Sequence, residues 1–237
     1  MSNLISESAP SPPLALFSLG NLVIGTGAFV LAGILASISA DLGVGIASVG
    51  QAMTAYAFST ALLSPLVLTL LYFTATFTMF GYIGPVLHAL GPLSVAQVSL
   101  TLLAVGSSGI AGTLIGGWST DRFGAVSTVR MQLLVFMLAQ AAVPLASGSY
   151  AAILLVLLVW GASGFGMMPP QQSRLAAASP ANAPLLLSLN TSMLYFGTAL
   201  GSIVGGVSSH LLGFGHIAWA GVPFLMAGFL TLLKPAK

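Results

Sequence analysis

The chain has 237 residues, of which 57% are hydrophobic, 3% are charged and none is cysteine. Soluble domains carry roughly 25% charged residues, so five basic and three acidic side chains cannot build the polar shell that a water-soluble globule needs. A net charge of +2 without any basic run excludes an electrostatic nucleic-acid binder, and the absence of cysteine excludes disulfides, thiolate metal sites and cysteine nucleophiles.

Residues 1–13, MSNLISESAPSPP, combine Glu7 with serines and prolines. They lack the positive start and the small-residue cleavage site of a signal peptide. They predict a short disordered tail, with the first apolar segment acting as its own insertion signal. A membrane-crossing helix needs about 20 apolar residues. Segments of that kind run Leu14–Ala40, Ala47–Thr69, Leu70–Leu90, Val95–Trp118, Val126–Leu145, Tyr150–Met168, Pro184–Leu212 and Ile217–Leu233. The breaks are Asp41-Leu42-Gly43, Gly91-Pro92, the surroundings of Asp121-Arg122, Ser147-Gly148-Ser149, Pro169–Pro184 and Gly213–His216. Residues 47–90 carry no charge at all. As one helix they would extend about 66 Å, twice the hydrocarbon thickness, so a turn is expected between Ser64-Pro65 and Tyr72. The expected fold is therefore an all-α polytopic membrane bundle of eight helices.

The basic residues Arg122, Arg130, Arg174, Lys234 and Lys237 all fall on one side of such a bundle. The positive-inside rule makes that side cytoplasmic and puts both termini there. Asp41, His88, His210 and His216 then fall near the outer loops. Gly197, Gly201 and Gly205 recur every four residues, as do Gly112 and Gly116 with Gly109 nearby, a spacing that lets helices approach closely in lipid.

The segment Gly117-Trp118-Ser119-Thr120-Asp121-Arg122-Phe123-Gly124 places an Asp-Arg pair between two apolar spans, where Asp can cap a helix or pair with Arg across a junction. Its pattern, G-x-x-x-D-R-x-G, resembles the loop signature of the major facilitator superfamily. Gly25-Thr26-Gly27-Ala28-Phe29-Val30, Gly33-Ile34-Leu35 and Asp41-Leu42-Gly43-Val44 resemble helix 1 of its arabinose-efflux-like drug:proton antiporters. Gln51, Thr54, Tyr56-Ala57 and Ser64-Pro65 resemble helix 2. Phe80-Gly81-Tyr82-Ile83-Gly84-Pro85 resembles helix 7, Gln171-Gln172-Ser173-Arg174-Leu175 the loop after helix 10, and Ser188-Leu189-Asn190 with Gly197–Gly206 helix 11. The resemblance thus implies an incomplete fold of that family lacking helices 3–6. Residues 14–69 would supply two helices of the N-terminal half, residues 70–237 six of the C-terminal half, with the join near Thr69–Tyr72.

The resemblance implies secondary transport of a small organic solute, efflux in particular, across the plasma membrane. The expected partners are the lipid bilayer and a small-molecule substrate; no cofactor, metal or nucleic acid is expected. Gly117, Asp121, Arg122 and Gly124 would act in gating. Polar or aromatic groups at mid-membrane are either interhelical hydrogen bonds or cavity walls: Asn21, Thr26, Gln51, Tyr56, Tyr82, Gln132, Gln140, Asn190 and Tyr195. With Phe29, Phe73, Phe77 and Met79 they suit an amphipathic solute. Intramembrane carboxylates are the usual proton carriers, and here Asp41 and Asp121 stand at helix ends while Glu7 is in the tail.

Two other readings compete. Gly161-Ala162-Ser163-Gly164 matches the G-x-S-G of rhomboid-type intramembrane proteases, with His210 or His216 as base. Ser163 falls in the inner half of its span and both histidines at outer ends, which separates nucleophile from base. The absence of four helices also raises a non-transporting or degenerate membrane protein, or a gene-model artefact.

Overall fold

The computed structural model describes residues 65–233, together with Gly43. The expected tail, the span Leu14–Ala40, most of Ala47–Thr69 and Lys234–Lys237 lie outside the described residues. Residues 65–233 fall within one compact unit, residues 60–237. Their helices are α1 (Pro65–Phe80), α2 (Ile83–Leu90), α3 (Val95–Phe123), α4 (Ala125–Ala142), α5 (Tyr150–Phe165), α6 (Met168–Ala178), α7 (Ala183–Leu212) and α8 (Ile217–Leu233). Single 3-10 turns occupy Pro144–Ala146 and Pro180–Asn182, and the described residues contain no strand. The fold is a polytopic helical membrane bundle.

Helix α1 lies at the centre, packed most extensively against α7 and α8, while α5 sits between α3 and α4. Its sequence explains the position. Leu66, Leu68, Thr69, Tyr72, Thr74, Ala75, Thr76, Thr78 and Met79 are all buried, so α1 is enclosed on nearly every face. Three of its four buried threonines tolerate this because their hydroxyls are consumed locally. Thr74, Thr76 and Thr78 donate to the carbonyls of Leu70, Tyr72 and Thr74 one turn earlier, at 2.8, 2.8 and 2.7 Å. A hydroxyl satisfied within its own helix can be buried without an unpaired donor.

Helix boundaries differ from the sequence expectation in several places. Helix α1 runs unbroken through Thr69–Tyr72, so the turn expected within residues 64–72 cannot lie after Pro65. Proline is well placed to open a helix because its missing N–H is one that a first turn leaves unbonded anyway. The span expected over 70–90 is instead bent by 56° between α1 and α2. Pro85 is the cause: it has no N–H for the carbonyl of Gly81, and its ring would collide with that group in a straight helix.

Helix α3 opens on a capping box in which the Ser94 hydroxyl accepts from the Gln97 N–H at 3.3 Å and the Gln97 amide oxygen accepts from the Ser94 N–H at 2.9 Å. It then continues through Asp121 and Arg122 to Phe123, past the end expected at Trp118. The expected loop there is one residue, Gly124, at φ +81°, where glycine's lack of a Cβ permits an immediate reversal. The span expected over 126–145 ends at Ala142, and Pro144 begins a 3-10 turn. Pro169–Pro184, expected as a break, is mostly helix α6, because its two adjacent prolines, Pro169 and Pro170, stand in the first turn.

Six of the eight expected spans fall within the described residues. Among them, residues 95–123, 125–142 and 150–178 are long and apolar enough to cross a membrane, and the bent pair α1–α2 passes if taken as one span. Helix α7 is long enough at 30 residues but is diluted by Asn190 and by runs of Gly, Ser and Thr. Helix α8 is apolar but only 17 residues long.

Candidate functional site

Two glycine seams set how closely the helices meet. On α7, a Cβ at Gly197 would lie 2.6 Å from the Leu70 carbonyl oxygen, and one at Gly201 2.5 Å from that of Thr74. A Cβ at Gly205 would collide with the carbonyl of Thr78. The three glycines therefore rest on successive turns of α1. On α3, Gly112 meets the backbone of α5 at the carbonyl of Ala162, and Gly116 meets that of Gly166, which caps the C-terminus of α5. Without side chains between them, the helices gain close backbone contact and Cα–H···O interactions.

Polar pins cross these seams. Gln140 on α4 is fully buried. Its amide nitrogen donates to the carbonyls of Ala75 on α1, at 2.9 Å, and Ala218 on α8, at 3.3 Å. Its amide oxygen accepts from the indole N–H of Trp160 on α5, at 2.5 Å. One side chain thus joins four helices. A second pin unites α1, α6 and α7: Thr69 donates to the Asn190 amide oxygen at 2.5 Å and accepts from the Gln171 amide nitrogen at 2.9 Å. The Tyr72 hydroxyl donates to the Gly164 carbonyl at 2.7 Å, and that of Tyr82 to the Ser202 carbonyl at 2.8 Å.

An aromatic chain runs alongside. Phe73 stacks on Phe77 with centroids 6.3 Å apart, Phe77 meets Phe80 edge-on at 5.8 Å, and Phe80 stacks on Trp160 at 5.6 Å. Phe73, Phe77 and Phe80 are half-buried, so one edge of this chain reaches the surface of the unit. Met79, expected beside them, is fully buried.

The residues expected to line a cavity are dispersed. Gln140 and Asn190 are hydrogen-bonded between helices, Gln132 is buried beside Gly166, Tyr82 ties α2 to α7, and Tyr195 is 69% exposed on α7. Asn21, Thr26, Gln51 and Tyr56 lie outside the described residues. None of these residues lines either of the two recesses described: one of about 340 Å³ between Phe123, Ser127, Thr128 and Met131, and one of about 150 Å³ at Gly91–Leu93, Gln97 and Gly148–Ile153. The amides are better suited to holding the bundle together, because a buried amide without a partner costs more than a bonded one returns.

Gly117, Asp121 and Arg122 occupy the last turns of α3, and Gly124 closes it by donating its N–H to the Thr120 carbonyl at 2.9 Å. A cation here complements the negative end of the helix dipole. The Arg122 guanidinium lies 5.7 Å from the Trp118 ring and 5.9 Å from that of Phe123, a cation–π arrangement on exposed side chains. Asp121 is exposed.

The protease constellation is not assembled, since the Ser163 hydroxyl is bonded to neither His210 nor His216. Ser163 is buried and its hydroxyl donates to the Val159 carbonyl at 2.6 Å, as an ordinary helical serine does. His216 packs against Trp219, with ring centroids 5.1 Å apart. The described residues contain no group of His, Cys, Asp or Glu able to hold a metal ion.

An apolar bundle seamed by glycine and pinned by buried amides, with only Asp121, Arg122, Arg130 and Arg174 charged among the described residues, defines a polytopic membrane protein. No family model matches the chain. It is 29% identical over 154 residues to the MFS-type transporter YbcL of Bacillus subtilis, covering 65% of this chain and 40% of that protein. It is 31% identical over 172 residues to the inner membrane transport protein YdhP of Escherichia coli, covering 72% of this chain and 43% of that protein. It is also 31% identical over 165 residues to OpdE of Pseudomonas aeruginosa, named a transcription regulatory protein, covering 69% of this chain and 40% of that one. The chain is thus a relative of major-facilitator-type transporters, which are not enzymes, and spans about two fifths of the length of these curated relatives.

Proposed function

We propose that the chain takes part in transmembrane transport of a small amphipathic organic solute, as an efflux protein of the drug:proton antiporter kind. The reading rests on the similarity to major-facilitator-type transporters over 154–172 residues. The half-buried row Phe73, Phe77 and Phe80 supports an amphipathic solute, since aromatic faces offer large apolar contact without charge. Asp121, Arg122 and the glycines flanking them act in conformational gating rather than substrate contact, and the arginine-bearing end faces the cytoplasm with both termini. Transporters of this architecture rock one helical bundle against another around a central site. An internal loss of helices 3–6 is part of the same proposal and rests on the resemblance of residues 14–69 and 70–237 to separate parts of the family fold; the aligned share is about two fifths of each relative.

Reconstitution into proteoliposomes tests the reading. Saturable uptake of a lipophilic dye, driven by an imposed pH gradient and abolished by a protonophore, is the expected result. Uptake equal to that of empty liposomes would reject it in favour of a non-transporting membrane protein, the second reading that the same short coverage supports. Sequencing the locus across codons 60–80 tests the internal loss: uninterrupted coding sequence for this chain is expected, and codons for four further helices would refute it.

A further inference from the structure

The span over residues 150–178 is interrupted where α5 gives way to α6. Gly166 still donates its N–H to the Ala162 carbonyl at 3.0 Å, but Met167 reaches back only three residues, to the Gly164 carbonyl at 3.1 Å. Pro169 and Pro170 follow in the first turn of α6, and neither has an N–H. The carbonyls of Phe165 and Gly166, four residues earlier, therefore have no intrahelical partner. A membrane helix carries such carbonyls where a neighbouring group or an ordered water bonds them. Gly166 is buried, and the groups around it are polar. A Cβ there would lie 2.7 Å from the carbonyl oxygens of Ala162 and of Gly112 on α3, and 2.9 Å from the amide nitrogen of Gln132 on α4. Gln132 is only 7% exposed. Its amide forms no hydrogen bond among the described residues, an arrangement that costs free energy unless something bonds it. The amide is also not completely enclosed. Thr128 stands one turn before it on the same buried face of α4 and, with Phe123, Ser127 and Met131, lines the recess of about 340 Å³.

We propose that Gln132 and the proline-freed carbonyl of Gly166 bind an ordered water, supplied through the recess at Ser127 and Thr128, so that the break between α5 and α6 is hydrated from one end of the bundle. The chemistry of the groups selects water. The carbonyls only accept hydrogen bonds, whereas the amide both donates and accepts. Water accepts from the amide N–H and donates to two oxygens at once, and a buried water ordinarily makes about three such bonds. A metal cation fits less well, because the amide nitrogen faces the same position and Asp121, the one acid among the described residues, is exposed. Hydration at this point lets α5 and α6 take different directions without leaving carbonyls unbonded.

The test begins with the unmodified full chain in micelles. X-ray radiolysis splits bound water into hydroxyl radicals in place, and mass spectrometry then reads methionine oxidation. Met167, next to Gly166 and 1% exposed, is the reporter, and Met79, fully buried on α1, is the dry control. Met167 is expected to oxidise about tenfold faster than Met79 or more, since oxidation follows access to the oxidant. Thermal unfolding of Q132L supplies a second measurement. Leucine removes a water ligand and should lower the unfolding temperature by about 2–4 °C; if the amide were dry and unbonded, leucine would raise it instead. Pro170→Ala returns an N–H to the Gly166 carbonyl, so Q132L should cost less in that background. Equal oxidation of Met167 and Met79, a higher unfolding temperature for Q132L, or the same loss with and without Pro170→Ala would each overturn the proposal. The radiolysis arm needs no variant to fold, and none of these readouts depends on transport.

Discussion

Gly201 offers the sharpest check on how α1 and α7 meet. An alanine there would place its Cβ 2.5 Å from the Thr74 carbonyl oxygen, 2.9 Å from the Phe77 Cβ and 3.1 Å from the Phe77 carbonyl carbon. Ordinary carbon contacts begin near 3.5 Å, so α7 would have to retreat by roughly 1 Å. The Thr74 carbonyl cannot tilt away freely, since it accepts the Thr78 hydroxyl at 2.7 Å. Overpacking of this kind costs about 1–3 kcal/mol, against about 1 kcal/mol gained from the better helix propensity of alanine. Gly106 on α3 is the matched control: nothing lies within 4 Å of the position a Cβ would take, so G106A collects the propensity term alone. G201A should therefore be less stable than G106A by about 1–3 kcal/mol. Reversible unfolding in mixed micelles, followed by circular dichroism, measures the difference. Equal stability of the two variants would refute the close approach of α7 to α1.

Replacing Gln140 by leucine leaves the Trp160 indole N–H buried and unpaired, and should destabilise the protein by about 1–2 kcal/mol. It should also shift the Trp160 emission in a background where Trp118 and Trp219 are phenylalanine. Asp121→Asn should reduce gradient-driven dye uptake several-fold while leaving dye binding near wild type; an equal loss of both would remove Asp121 from gating. Fluorophosphonate probes should not label the protein, and S163A should leave that result unchanged, because the Ser163 hydroxyl is held by the Val159 carbonyl. Pro85→Ala should reduce the 56° bend between α1 and α2, seen as a longer distance between spin labels at cysteines introduced at positions 71 and 89, for which the chain offers no background cysteine. An unchanged distance would assign the bend to packing rather than to the proline.

The apolar periods and the absence of charge made the class of fold legible in the sequence, because lipid leaves helices as nearly the only spanning structure available. Glycine spacing also carried more than composition. Gly197, Gly201 and Gly205 share one face by their four-residue interval, although the identity of their partner, α1, is a tertiary fact. Boundaries were harder to read for local reasons. Asp121 and Arg122 look like a loop to a reader of hydropathy, yet a helix can carry charged residues past the hydrocarbon edge, and at 29 residues α3 does so. Pro169 and Pro170 look like a break, yet a first helical turn accepts them. The amides were the least legible. Gln140 could bond between helices or face a cavity, and its bonds to Ala75, Trp160 and Ala218 are tertiary facts that no spacing in the sequence shows.

Seams and pins have opposite consequences for motion. A glycine seam alone is smooth, and helices can slide along it at little cost. A buried amide shared by four helices resists sliding, since a shift of one residue would strand the Trp160 N–H and the Gln140 amide N–H groups in a medium without water. Gln140 and the Thr69–Asn190–Gln171 set tie α1 to α4, α5, α6, α7 and α8. Helix α3 is joined by neither set; it is held chiefly through its glycine seam with α5. If the described helices change their packing during a transport cycle, the least costly place is therefore the α3–α5 seam, and α3 is the helix that carries Asp121 and Arg122. A disulfide introduced across that seam should then suppress the effect of Asp121→Asn on uptake, whereas one across α1–α7 should leave it intact.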